Sequence, residues 1–208
     1  MKIANLYNHL NGYEFLQVHK PDQLNEIIST LNSINANDYT KVSKAKPSNG
    51  KIFYDQKALN KEIKDKLIAL NWEDIRIPYY VTRDIDTIRE IKDIRDKAEQ
   101  KKVIETKGME PLSTYNQIDF VKDRIAIEVQ FGKYFSVAYD LHVKHTFFYL
   151  RDDIDVGIEI IPTKNMEAKM DTGVPWFENE VANVIREGRS NPAVPLVIIG
   201  IEPESIDI

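Results

Sequence analysis

The stretch Asp119-Phe-Val-Lys-Asp-Arg-Ile-Ala-Ile-Glu128-Val-Gln130-Phe131, DFVKDRIAIEVQF over residues 119–131, carries fold and chemistry together. Ile125, Ile127, Val129 and Phe131 alternate with Ala126, Glu128 and Gln130. A period of two predicts a β-strand with its apolar residues on one face and Glu128 with Gln130 on the other. Asp119, a second carboxylate, comes shortly before. Metal-assisted phosphodiester hydrolysis needs such oxygen groups converging on one point, beside a group that orients water. Asp119 and Glu128 can hold a hard divalent ion, and the Val129 carbonyl lies between Glu128 and Gln130 as a further oxygen. Gln130 can hydrogen-bond the attacking water but is a poor base. Spacing alone leaves a plainer account open, in which a half-exposed strand shows Glu128 and Gln130 to water.

Strands and helices alternate outward from this segment. Pro21 begins a helix whose Leu24, Ile27, Ile28, Leu31 and Ile34 recur at helical spacing. Asp55 caps a second, with Leu59, Ile63, Leu67 and Leu70 facing inward. RIPYYVT at 76–82 is a short strand, and Asp84 or Asp86 opens one long charged helix to about Thr106, with Gly108 as its stop. Residues 135–150 form a helix with Val137, Leu141 and Phe148 on one side. VGIEIIP at 156–162 and PLVIIGI at 195–201 are strands, the second buried on both faces, with a helix around 178–188 between them. This order predicts an α/β fold, a mixed β-sheet sandwiched by helices, and the length suits a single domain over 1–208. Residues 41–51, KVSKAKPSNGK, carry four lysines and no acid around the turn formers Pro47, Ser48, Asn49 and Gly50. They make a basic loop, either simply solvated or set beside a DNA groove.

Composition removes several classes. No cysteine is present, so disulfides and thiolate-held zinc do not enter. His142 and His145 make an H-x-x-H pair without an acidic third ligand. The opening MKIANLYNHLNGYEF has no apolar signal region and the aliphatic run at 196–201 is too short to cross a bilayer. A soluble, cytoplasmic protein without a membrane partner is therefore expected. A net charge of -5 argues against indiscriminate coating of nucleic acid but leaves room for a local basic cleft.

DFVKDRIAIEVQFGKY, with YNQ just before it, closely resembles type II restriction endonucleases of the BstYI kind and, more distantly, of the BglII and BamHI kinds. The resemblance runs on through HLNG at 9–12, QVH at 17–19, YYVT at 79–82, DVGIEI at 155–160, NVIREGR at 183–189 and PLVIIGI. It implies a restriction-endonuclease-like core of the PD-(D/E)XK type with Gln130 in the lysine position. It also implies a homodimeric, Mg2+-dependent endonuclease cutting double-stranded DNA at a GATC-centred palindrome, purine-GATC-pyrimidine in the nearest relatives, to leave four-nucleotide 5′ overhangs. Carried over residue by residue, Asp119 and Glu128 are the metal-site acids, Val129 a carbonyl ligand and Gln130 the water-orienting member of the catalytic set. Lys133 matches a position that reads the outer base pair, and Thr172 falls in a base-contacting loop where relatives carry a different small hydroxyl residue. A palindromic target implies two-fold symmetry, for which the aromatic-rich helix at 135–150 is a candidate interface, unless its stripe is simply core. A host methyltransferase is expected to protect the host's own sites without binding this chain. Two other functions stay open: a structure-specific repair or recombination nuclease of the same fold, and a non-catalytic GATC-binding module.

Overall fold

In chain order the elements are β1 (Lys2–His9), α1 (Gly12–His19), α2 (Pro21–Asn32), β2 (Thr40–Val42), β3 (Ile52–Tyr54), α3 (Gln56–Ala69), β4 (Glu73–Val81), α4 (Ile85–Ile91), α5 (Lys97–Thr106), β5 (Leu112–Lys122) and β6 (Ile125–Val129). There follow α6 (Phe135–Tyr139), a π-helical turn (Asp140–His145), α7 (Thr146–Leu150), β7 (Val156–Pro162), α8 (Lys164–Glu167), α9 (Phe177–Glu187) and β8 (Leu196–Glu202). The structure, a computed structural model, describes residues 1–44, 46 and 48–205. Six strands pair in the order β1-β8-β7-β6-β5-β4, and β2 pairs with β3. β6, β7 and β8 are parallel, while β1 is antiparallel to β8 and β5 to β6, so the sheet is mixed, as the alternation of strands and helices predicts.

Parallel strands require crossover connections, and those connections cover the sheet. The crossover from β6 to β7 is the helical stretch at 135–150, and that from β7 to β8 contains α8 and α9. On one face Ile125, Ile127, Ile158, Ile160, Val197 and Ile199 join Leu16, Ile27, Leu31, Leu59, Ile63 and Leu67 of α1, α2 and α3 in one core cluster. On the other, Leu196, Ile198 and Ile161 pack with Val137, Leu141, Phe177 and Val184. Every residue of β6 and β7 is buried. This corrects the half-exposed strand: Glu128 shares its face with a packed helix, not with water.

The chain forms two compact units, Met1–Asp74 with Ile118–Ile208, and Ile75–Gln117. In the first, Asp55 caps α3 as its sequence predicts, its Oδ1 accepting from the amides of Lys57 at 3.1 Å and Ala58 at 3.3 Å. The basic stretch at 41–51 is partly strand, since β2 and β3 make a hairpin closed by Ser43 N donating to Lys51 O at 2.8 Å. Pro47, one of its expected turn formers, lies outside the described residues. In the second unit the single long helix expected from 84 to 106 is two, α4 and α5. Asp84 caps the first through Thr87 N and Oγ1, and Asp96 restarts the second by accepting from Ala98 N. Gln100 is buried there, its amide linking Tyr80 N on β4 to the carbonyl of Ile94.

Gly12 lets α1 approach β8: a Cβ there would lie 2.8 Å from Leu196 O and 2.9 Å from its C and N. Backbone atoms of a buried strand cannot swing aside. Gly12→Ala is expected to lower the unfolding free energy by about 1–3 kcal/mol, measured by denaturant titration. An unchanged midpoint would mean that α1 is not held against β8.

Candidate active site

The tight turn between β5 and β6 explains the spacing of the acids. Lys122 pairs with Ile125, Val121 with Ala126 and Phe120 with Ile127. The next pair in that register is Asp119 with Glu128, and opposed residues on antiparallel strands share a face with Cβ atoms about 4.5–5.5 Å apart. The turn residues Asp123 and Arg124 have φ of 48° and 68°, the left-handed region such a turn demands and Gly or Asn usually supplies. Arg124 is held there by its own side chain, which donates to Asp155 Oδ1 through Nε at 3.0 Å and to Asp152 Oδ1 through Nη2 at 2.6 Å.

Across β6 on its other side the register is parallel, and Glu128 stands beside Glu159 of β7. Asp119, Glu128 and Glu159 therefore form a row of carboxylates on three neighbouring strands. Asp119 is exposed, whereas Glu128 and Glu159 are buried. Gln130, just past the end of β6, donates from Nε2 to Asp140 Oδ2 at 3.2 Å and accepts at Oε1 from Gly132 N at 2.8 Å.

Two further residues enter this site that the sequence reading did not single out. Asp140 and Lys144 come from the π-helical turn and pair with each other at 2.7 Å, while Lys144 Nζ donates to Glu128 Oε1 at 3.0 Å. An acid and a lysine four residues apart on a predicted helix were visible as a pair, but nothing in the sequence pointed them at β6. Burial, followed by the charges of Asp140 and Asp119, pushes the Glu128 carboxyl up from 4.5 to about 9. Burial likewise raises Asp140 and holds Glu159 well above the usual carboxylate range. Burial works against the charge on Lys144, but Glu128 and Asp140 outweigh it and raise its pKa.

His145 and Glu159 approach to 3.6 Å, the separation of an ion pair, yet neither makes a hydrogen bond. Full burial, followed by the charge of Lys144, lowers His145 from 6.5 to about 3, and burial holds the Glu159 carboxyl well above its usual range, so burial disfavours the charged form of both groups. Gly157 leaves space for the ring, since a Cβ there would lie 2.6 Å from His145 Nδ1. His142 turns elsewhere, 3.0 Å from Glu187, so the H-x-x-H pair does not converge.

A divalent ion suits the donors present. Asp119 and Glu128 offer hard oxygens, and a bound cation would offset the burial and the neighbouring carboxylate charges that raise the Glu128 carboxyl. Among the described residues no three acidic or imidazole groups close into a ready-made cage. An ion that keeps several waters and takes one or two carboxylates plus a phosphate does not need one.

The candidate DNA-contacting residues lie on linked loops. Lys133 is exposed with its ammonium 5.8 Å from the Phe135 ring centroid, and Thr172 is exposed in the loop before α9. Tyr134 N donates to Gly173 O at 2.7 Å, which joins the two segments. Lys41 of the β2–β3 hairpin reaches Asp171 at 2.6 Å, so the basic stretch adjoins the same loop.

The model of the family described as restriction endonuclease BglII/BglIII matches residues 4–201. Among solved structures, that of restriction endonuclease BglII complexed with a DNA 16-mer is similar at a TM-score of 0.65 and 18% identity, covering 97% of this chain and 78% of that one. That of free BglII is similar at a TM-score of 0.59 and 16% identity, covering 98% and 81%. At such identities the likeness is one of fold. No curated protein sequence matches the chain.

The raised carboxyls and the depressed imidazole tilt stability with pH in opposite senses. Glu128, raised from 4.5 to about 9, contributes stability present below pH 4.5 and lost as pH rises toward 9. His145, lowered from 6.5 to about 3, contributes stability present above pH 6.5 and lost as pH falls. Above pH 6.5 the raised carboxyls lower stability as pH rises and the N-terminal amine, lowered from 8.0 by burial, partly offsets them, so without divalent ions the thermal midpoint should fall between pH 6.5 and 8.5. Glu128→Gln, which mimics the protonated acid, should flatten that fall; an equal slope in both proteins would contradict the assignment.

Proposed function

The chain belongs to the BglII restriction endonuclease family and is a type II restriction endonuclease, and from that premise we propose that it hydrolyses double-stranded DNA with Mg2+ at a GATC-centred palindrome. The flanking rule is purine-GATC-pyrimidine, with cuts that leave four-nucleotide 5′ overhangs. The observation that carries the assignment of the site is the hairpin register that sets Asp119 opposite Glu128, with Gln130 two residues on.

Asp119 and Glu128 hold the ion, with the Val129 carbonyl as a further oxygen. Once bound, the ion would polarise the scissile phosphate and ease loss of the proton from water. Gln130 orients that water. Its Oε1 keeps a second lone pair beyond the one taken by Gly132 N, and a neutral amide positions water without competing for the proton. The covered face around Glu128 lowers the local dielectric, which strengthens every charge interaction with the reacting phosphate.

Lys133 and Thr172 read bases next to the GATC core. A lysine donates to guanine O6 and N7, and a threonine offers a hydroxyl with a methyl that meets thymine. Lysines of the β2–β3 hairpin contact phosphates, which position the protein without reading sequence. The BglII structure complexed with a DNA 16-mer supports DNA as partner. The chain acts as one endonuclease domain, two copies of it meeting about a two-fold axis and each cutting one strand. The helical stretch at 135–150 supplies the contact, since Phe135, Tyr139, Tyr149 and Leu150 are exposed while Phe148 is buried in the protomer.

Incubation with methylation-free plasmid, in Mg2+ and in EDTA, followed by sequencing of the ends, tests this reading. Mg2+-dependent ends at GATC-centred hexamers are expected, whereas cutting confined to branched or damaged DNA would reject it. Asp119→Ala and Glu128→Ala should bind a GATC duplex yet cut it slower by about a thousandfold or more, because a lost ligand removes the ion.

A further inference from the structure

Asp140 and Lys144 have no part in the Asp-Glu-Gln constellation, yet both touch it. Asp140 is 1% exposed, on a helical stretch whose neighbouring Val137, Leu141 and Phe148 are core residues. Burying a carboxylate and an ammonium in such a place is costly, and apolar residues of similar size would pack there more simply. Both come from a π-helical turn, a departure from regular helix that recurs at functional sites.

Each arm of the pair ends on one side chain of the Glu-Val-Gln strand end. Lys144 Nζ takes Glu128 Oε1 at 3.0 Å, and Asp140 Oδ2 accepts from Gln130 Nε2 at 3.2 Å. Glu128 and Gln130, two residues apart on a strand, lie about 6.6 Å apart along it, and the pair spans that gap. The amide of Gln130 is directed at both ends. Asp140 meets the Lys144 ammonium at Oδ1 and accepts at Oδ2, so it takes the amide nitrogen, and the Gly132 N–H can only donate, so it takes the oxygen. Gly132 is what allows the second contact, since a Cβ there would lie 2.6 Å from Gln130 Oε1. The amide therefore presents one defined oxygen, and the carboxyl of Glu128 is held by one defined atom.

We propose that Asp140 and Lys144 are a positioning pair, whose ammonium orients Glu128 and whose carboxylate orients Gln130 for phosphodiester hydrolysis. The proposal rests on the catalytic reading of Glu128 and Gln130 given above. Neither residue needs to touch the substrate. Their effect is on the geometry in which the strand end meets it, and partners that orient metal-site ligands commonly contribute about 10–100-fold in activity.

The test uses the full chain with Lys144→Met, Lys144→Arg and Asp140→Asn, alongside Glu128→Ala. Lys144→Met and Asp140→Asn should lower kcat by about 10–100-fold with KM and duplex affinity in EDTA within about threefold of wild type, and Lys144→Arg should recover part of the loss. The side-chain amide signal of Gln130, identified by its absence in Gln130→Glu, should shift in Asp140→Asn without DNA or metal. Wild-type kcat in a folded Lys144→Met or Asp140→Asn, with Glu128→Ala inactive, would overturn the positioning role while leaving the site intact. So would an unmoved Gln130 signal, or a loss of duplex binding equal to the loss of rate. Wild-type cutting by Glu128→Ala would instead reject the catalytic reading itself. Should Lys144→Met fail to fold, Asp140→Asn and Lys144→Arg carry the same comparison.

Discussion

One ammonium group, Lys144, is set against Glu128 and Asp140 on a face that also carries Asp119 and Glu159. Two of these carboxyls, Glu128 and Glu159, sit side by side on parallel strands with no water-exposed surface to spread their charge. Such an arrangement opposes folding: ionising either acid brings like charges together in a medium that screens them poorly. The aliphatic strands supply the counterweight. Ile125, Ile127, Ile158, Ile160, Val197 and Ile199 put an apolar layer beneath the row, and α1, α2 and α3 bury it. Burial disfavours the charged forms of His145 and Glu159 alike where they meet.

Topology turns this burden into a site. An antiparallel hairpin sets Asp119 across from Glu128, and a parallel neighbour sets Glu159 on the other side, so one strand receives acids from both directions. The crossover that a parallel β6–β7 pair requires is also the wall that covers Glu128 and delivers Asp140 and Lys144. Gln130 and Lys133 follow the carboxyl end of β6, where open α/β sheets place their ligands, and the loop with Thr172 follows α8. Strands thus hold the acids, while Lys133 and Thr172, the residues proposed to read bases, stand on loops joined through Tyr134 and Gly173.

Much of the fold was legible because its signals are local. The stripe Leu24, Ile27, Leu31 gives α2, Asp55 gives the start of α3, and the aliphatic runs give β7 and β8 at almost the observed boundaries. Elements that depend on distant partners were harder to see. β5 reads LSTYNQIDFVK, with polar residues in most of its first half, and only its pairing makes it a strand. The turn Asp123-Arg124 lacks the usual glycine because Arg124 is anchored by Asp152 and Asp155, which lie about thirty residues on. The break between α4 and α5 comes from Asp96 capping inside a charged run where no glycine or proline announces an end.

The sequence by itself determined the alternation of strands and helices and the mixed sheet, and it named Asp119, Glu128 and Gln130 as candidates for the site. The elements follow from periodicity and caps, which are properties of neighbours in the chain, whereas the candidates' roles came from a family resemblance that spacing alone did not supply. Only the tertiary structure decided that Glu128 is buried, that Glu159 is its neighbour, and that Asp140 and Lys144 close on Glu128 and Gln130. Those facts depend on which helix covers which face and on the phase of a π-helical turn, and no stretch of sequence short enough to be read as a pattern contains both partners.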